Sequence, residues 1–125
     1  KIARRVDRIC GELGRHMPVL IEVNIGEEPQ KGGILPDRVK DLADVIEGLT
    51  HLELRGLMAI PPFHDDPEQS RPYFRRMREL LREWNDRSAR PLTELSMGMS
   101  HDFVVAIEEG STLVRIGTSI FGERE

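Results

Sequence analysis

The chain has 125 residues, of which 38% are hydrophobic and 32% charged, with a net charge of −4 at neutral pH. That is enough for one domain, or part of one, with a real core. The mildly acidic balance argues against a nucleic-acid or membrane-surface partner. Cys10 is the only cysteine, so no internal disulfide forms, which fits a reducing cytoplasm. No apolar run approaches the roughly 20 residues of a membrane span, and no signal-peptide pattern is visible.

Ile2, Val6, Ile9 and Leu13 recur at helical spacing, and Gly14 is a C-terminal stop. Because the chain opens on Lys1 and is already helical in pattern, it is expected to be a piece of a longer protein. Residues 19–25 (VLIEVNI) are a β-branched run ending at Gly26, which predicts a strand. Residues 27–33 form a polar loop, and Pro36 opens a helix with Val39, Leu42, Ala43, Ile46 and Leu49 on one face. A second strand, 52–60, ends at Pro61-Pro62. Ser70 and Pro72 mark the next helix start, and its buried stripe is Phe74, Met77, Leu80, Leu81 and Trp84. Arg75, Arg76, Arg78 and Arg82, interleaved with Glu79 and Glu83, predict a solvated face with i,i+4 pairs on that helix. Pro91 precedes a third strand, 92–96. Ser100 is the expected N-cap of a helix over 101–109, Gly110 its C′ residue, and 113–116 a fourth strand.

Strands alternating with helices imply parallel strands joined by right-handed crossovers. The pattern fits either half of an eightfold β/α barrel or a small open α/β sheet. A cut barrel exposes two strand edges, so self-association across them is expected.

Two glycine segments close together carry the candidate chemistry. Residues 96–100 (SMGMS) precede a helix start, and residues 115–118 (RIGT) end a strand. Ser96, Ser100 and Thr118 offer hydroxyls, while Gly98 and Gly117 allow close backbone approach. Such loops can hold a phosphate, although the first also reads as an ordinary β-to-α turn with a serine cap. Arg115, between Val114 and Ile116, is a charge inside an apolar strand. It either pairs with an interior carboxylate such as Glu22 or Glu94, or faces a ligand. Lys31, flanked by Gly32 and Gly33, reads as a mobile surface lysine, with an accessory ligand contact as the alternative. Cys10 reads as a buried inert thiol. His16, His51, His64 and His101 lack metal-ligand spacing, and no nucleophilic triad is recognisable.

The stretches VNIGEEPQKGGI (23–34), LRGLMAIPP (54–62), PYFRRMREL (72–80) and ELSMGMSHDFVVAIEEGSTLVRIGTSIFGER (94–124) resemble the pyridoxal phosphate homeostasis family, in order and over essentially the whole chain. The resemblance implies an alanine-racemase-like (fold type III) β/α barrel, here its C-terminal half over 1–125. It also implies an intracellular role in holding pyridoxal 5′-phosphate without robust catalysis. It assigns Ser96, Met97, Ser100, Gly117 and Thr118 to the phosphate and Arg115 to the pyridine nitrogen, with Lys31 as a secondary contact. The family's Schiff-base lysine lies upstream of the residues matched here, so no catalytic residue is assigned. Two alternatives are part of a pyridoxal-phosphate racemase or decarboxylase, and an unrelated phosphate-binding barrel enzyme.

Overall fold

The computed structural model describes residues 1–122; Glu123 and Arg124, which end the family-like string, lie outside the described residues. Helix α1 (Ile2–Glu12) leads into strand β1 (Met17–Glu22). A 3-10 turn (Pro36–Arg38) opens α2 (Val39–Glu47), followed by β2 (Leu52–Met58). A second 3-10 turn (Pro67–Ser70) opens α3 (Arg71–Arg87). Then come β3 (Glu94–Met99), α4 (Phe103–Glu108), β4 (Leu113–Arg115) and a one-turn helix α5 (Thr118–Phe121) that the periodicity does not announce.

The four strands are parallel and lie in the order β1-β2-β3-β4. Right-handed crossovers that always step the same way place every connecting helix on one face. A doubly wound sheet would reverse direction and cover both faces. The packing agrees: one continuous core joins Ile21 and Val23, Leu57 and Ala59, and Leu95 and Met97 to the apolar faces of α2, α3 and α4. The architecture is therefore that of a barrel segment. Its inner face carries the alternate residues, among them Leu20, Glu22, Met58 and Ser96.

The element types match the sequence pattern, but two boundaries move in ways that matter. Val23 does not continue β1. It pairs with Ile34 of the returning loop, which covers the top of that edge. Strand β3 runs through Met99 instead of ending at Ser96, so most of the SMGMS segment is strand. Gly98 allows this at φ 103°, where the pairing with β4 shifts register. A Cβ on Gly98 would stand 2.7 Å from the Ala106 Cβ and 3.2 Å from the Phe103 Cα. Glycine here lets α4 lie directly on β3.

The arginine face of α3 is not simply solvated. Arg71, Arg75 and Arg78 converge on Glu109, the C-cap of α4, whose side chain is 7% exposed. The nearest approach is Arg71 Nη1 to Glu109 Oε2 at 2.8 Å, and Arg71 also holds Glu68 and Glu108 at 2.8 Å each. This cluster fastens α4, and with it the end of β3, to α3. The Arg71 hydrogen bond, opposed by burial and helped by Arg75 and Arg78, holds the Glu109 carboxyl below its usual range. A carboxyl depressed in the folded state adds stability above its unfolded pKa and loses it as the pH falls through the folded value. The stability gap between the wild type and Glu109→Gln should therefore be constant above about pH 5 and close on acidification below about pH 4, near the ordinary glutamate value. Thermal midpoints across that range check this; a gap independent of pH would contradict it.

Candidate functional site

The C-terminal ends of β2, β3 and β4 and the loop after β1 enclose an open cavity of about 900 Å³, walled in part by Lys31, Phe63, Ser100, Asp102, Gly117 and Thr118. This is the end of a β/α barrel at which ligands bind. A second groove, of about 440 Å³, lies between α1, α2 and the β1 edge. Its wall is mostly aliphatic, including Ile2, Val6, Leu42 and Ile46, and brings together no set of polar donors.

The turn after β3 is closed from both sides. The Asp102 N–H donates to the Met99 carbonyl at 3.2 Å, and the Met99 N–H donates to Asp102 Oδ1 at 2.8 Å. An aspartate locks a turn in this way because its carboxylate is a short, fixed acceptor. Ser100 and His101 are left at the tip. Asp102, not Ser100, occupies the N-cap position of α4. Ser100 is committed elsewhere: its Oγ accepts the Gly117 N–H at 3.2 Å, which ties the β3 turn to the β4 loop. With α4 only six residues long and a carboxylate at its N-cap, the groups this wall offers an anion are side-chain and loop groups.

The structure thus brings Ser100, Gly117 and Thr118 to one cavity wall. Ser96 alternates with the core residues Leu95 and Met97 and so belongs to the inner face of the sheet, although it is only 5% exposed. The Met97 side chain is fully buried in the helix-facing core, so from Met97 only the backbone can serve a ligand.

Arg115 forms neither of the salt bridges expected with Glu22 or Glu94. Its Nη2 donates to the Ala59 carbonyl at 3.0 Å, and its Nε is buried without a hydrogen-bond partner. Burial lowers its pKa, while the charges of Asp102 and Glu22 act in the opposite sense. Glu94 is engaged by Thr112 instead. An orphaned donor on a partly desolvated guanidinium is a group that awaits an acceptor.

Lys31 is tethered where the glycine-flanked loop predicts a mobile surface lysine. It pairs with Glu28 at 2.9 Å and reaches the carbonyls of Ile60 and Pro61 at 3.4 and 3.3 Å. The loop is itself pinned by Asn24, whose side chain bonds both backbone groups of Glu28. Sequence reasoning missed Asp102, Phe63 and His101. The rings of Phe63 and His101 stand 4.8 Å apart at the cavity wall.

Gly117 is the most telling residue of the cavity. Its φ is −110°, which any residue adopts, and a Cβ there would meet no atom of the described residues within 4 Å beyond its chain neighbours. None of the described residues requires glycine at this position, in contrast to Gly98.

The family model for the alanine racemase N-terminal domain matches residues 1–125. The pyridoxal phosphate homeostasis protein of Aquifex aeolicus is 54% identical over 107 residues, covering 86% of this chain and 47% of that protein. Two structures of PipY from Synechococcus elongatus superimpose on 96% of this chain and 56% of theirs. The one without PLP has a TM-score of 0.87 at 36% identity, and the one with PLP bound 0.84 at 35%. The chain spans about half the length of the curated relatives it matches. On these similarities and on its one-sided parallel sheet, the chain belongs to the alanine racemase N-terminal domain family, and its curated relatives there are pyridoxal phosphate homeostasis proteins.

Proposed function

We propose that residues 1–125 form the C-terminal half of a single barrel domain that holds pyridoxal 5′-phosphate, in a cytoplasmic protein that keeps this cofactor available without catalysing a reaction on it. The observation that carries the reading is the Ser100–Gly117 link beside open space at Gly117. A phosphate approaching the backbone closely explains a glycine that the fold does not need.

The residues fit the group. Ser100 and Thr118 would supply donors to the phosphate, and Gly117, whose N–H is held by Ser100, would leave room for its approach, with Ser96 and the Met97 backbone behind them. Arg115, which keeps a buried Nε without a partner, would serve the pyridine nitrogen. When bound, the cofactor supplies an aldehyde and an electron-withdrawing ring. An arginine at the ring nitrogen keeps that nitrogen unprotonated and so weakens the ring as an electron sink, which favours holding over turnover. Lys31, held by Glu28 and two carbonyls, stands at the edge of the same cavity as an accessory contact. No helix among the described residues is long and apolar enough to cross a membrane.

Self-association through the open sheet edges is part of the same reading. The lower part of β1 (Val19 to Ile21) flanks the aliphatic groove at one edge, and β4 forms the other. Sedimentation of the 125-residue chain should show a dimer or larger species; a well-folded monomer at micromolar concentration would sink this part.

The phosphate site is tested by a pair of glycine variants. Gly117→Ala should leave the thermal midpoint near that of the wild type yet weaken pyridoxal 5′-phosphate binding about tenfold or more, the loss expected for a crowded charge-assisted contact. Gly98→Ala should do the reverse in kind, costing about 2–4 kcal/mol of stability through overpacking and a strained φ. Titration beside a sugar phosphate separates a cofactor site from a general phosphate site, since only the former prefers the ring-bearing ligand. Equal binding by wild type and Gly117→Ala would contradict the reading.

A further inference from the structure

Asp102 stands in the cavity wall, 5% exposed, two residues beyond Ser100. Its two oxygens do different things. Oδ1 accepts the Met99 N–H at 2.8 Å and so builds the turn that carries Ser100 to Gly117. Oδ2 takes no part in that turn and lies 3.4 Å from His101 Nε2. A neutral acceptor could also close the turn, through a weaker bond. The charge itself is more than closure requires, and it stands in the same cavity wall as Ser100, Gly117 and Thr118.

We infer that Asp102 weakens the site's grip on the phosphate and so sets it for release, a role that rests on the phosphate reading above. Two effects act in the same direction. The carboxylate, itself buried, repels a phosphate held at the same wall. It also draws on the field of Arg115, with which it interacts electrostatically, and leaves less of that charge for the ligand. The remaining charged or titratable groups named in the cavity wall are His101, beside Oδ2, and Lys31, whose charge is taken up by Glu28. A protein that holds a cofactor for others gains from a site that binds in a built cradle and lets go readily. Asp102 serves both ends: one oxygen forms the cradle, and the charge limits the affinity. It is a positioning and tuning residue, not a catalytic one.

The test uses substitutions that keep the turn and remove the charge. Asp102→Asn preserves an oxygen of the same reach for the Met99 N–H, and Asp102→Thr offers a hydroxyl, which closes turns more weakly. Calorimetric titration with inorganic phosphate at low ionic strength should show either variant binding about tenfold more tightly than the wild type. Asp86→Asn, at the exposed far end of α3, changes the net charge by the same amount and should leave the affinity unchanged. A purely structural role for Asp102 predicts weaker binding in both variants, never tighter. Unchanged or weakened phosphate binding in folded Asp102→Asn or Asp102→Thr would overturn the inference, as would an equal gain in Asp86→Asn. Wild-type chain that binds no phosphate would overturn the phosphate reading itself, and this inference with it.

Discussion

The site hangs on one hydrogen bond, from the Gly117 N–H to the Ser100 hydroxyl at 3.2 Å. It joins two loops separated by one helix and one strand, and each loop can reach the other only because something behind it is fixed. On one side the Met99–Asp102 turn is closed twice, by backbone and by carboxylate. On the other, Ser111 Oγ donates to the Met97 carbonyl at 2.6 Å, and Thr112 Oγ1 accepts the Leu95 N–H at 2.8 Å, which fixes where β4 begins. Behind both, Glu109 gathers three arginines and holds α4 to α3. A soft loop pair would lose affinity to the entropy of ordering on binding. Here that ordering is done by the fold.

The one-sided sheet explains why the inner face is built as it is. With α2, α3 and α4 packed on one side, Leu57, Leu95 and Met97 are committed to the core. The alternate residues of the same strands are free to be small or polar. Ser96 and Arg115 can thus occupy strands that are otherwise apolar without breaking the core. Arg115 tolerates partial burial through its bond to the Ala59 carbonyl and the nearby charges of Asp102 and Glu22, and it still keeps one donor unspent.

Much of this is legible in the sequence because it depends on local periodicity. The alternation of β-branched runs with amphipathic helices yields the element order, and the apolar stripes of α2 and α3 are largely the ones the structure buries. What was not legible depends on contacts distant in sequence. The end of β3 could not be placed from Gly98 alone, since the reason for its φ is Ala106 lying against it. Ser100 reads as a helix cap from its neighbours, and only the fold brings Gly117 to it. The arginines of α3 read as solvated because Glu109, their partner, belongs to another helix. Lys31 reads as loose because the carbonyls that hold it follow the next strand. The family-like string names a cofactor for the loops, while the geometry separates the residues that can touch it from Met97, whose side chain cannot.

The central claim is that the wall formed by Ser100, Gly117 and Thr118 is where a phosphate-bearing ligand is held. Backbone amide chemical shifts during titration with pyridoxal 5′-phosphate test it most directly. The account predicts saturable shifts that are largest at residues 99–101 and 116–118, with small changes along α1 and α2. Shifts centred on the aliphatic groove at the β1 edge, or none at the two loops at saturating ligand, would contradict it.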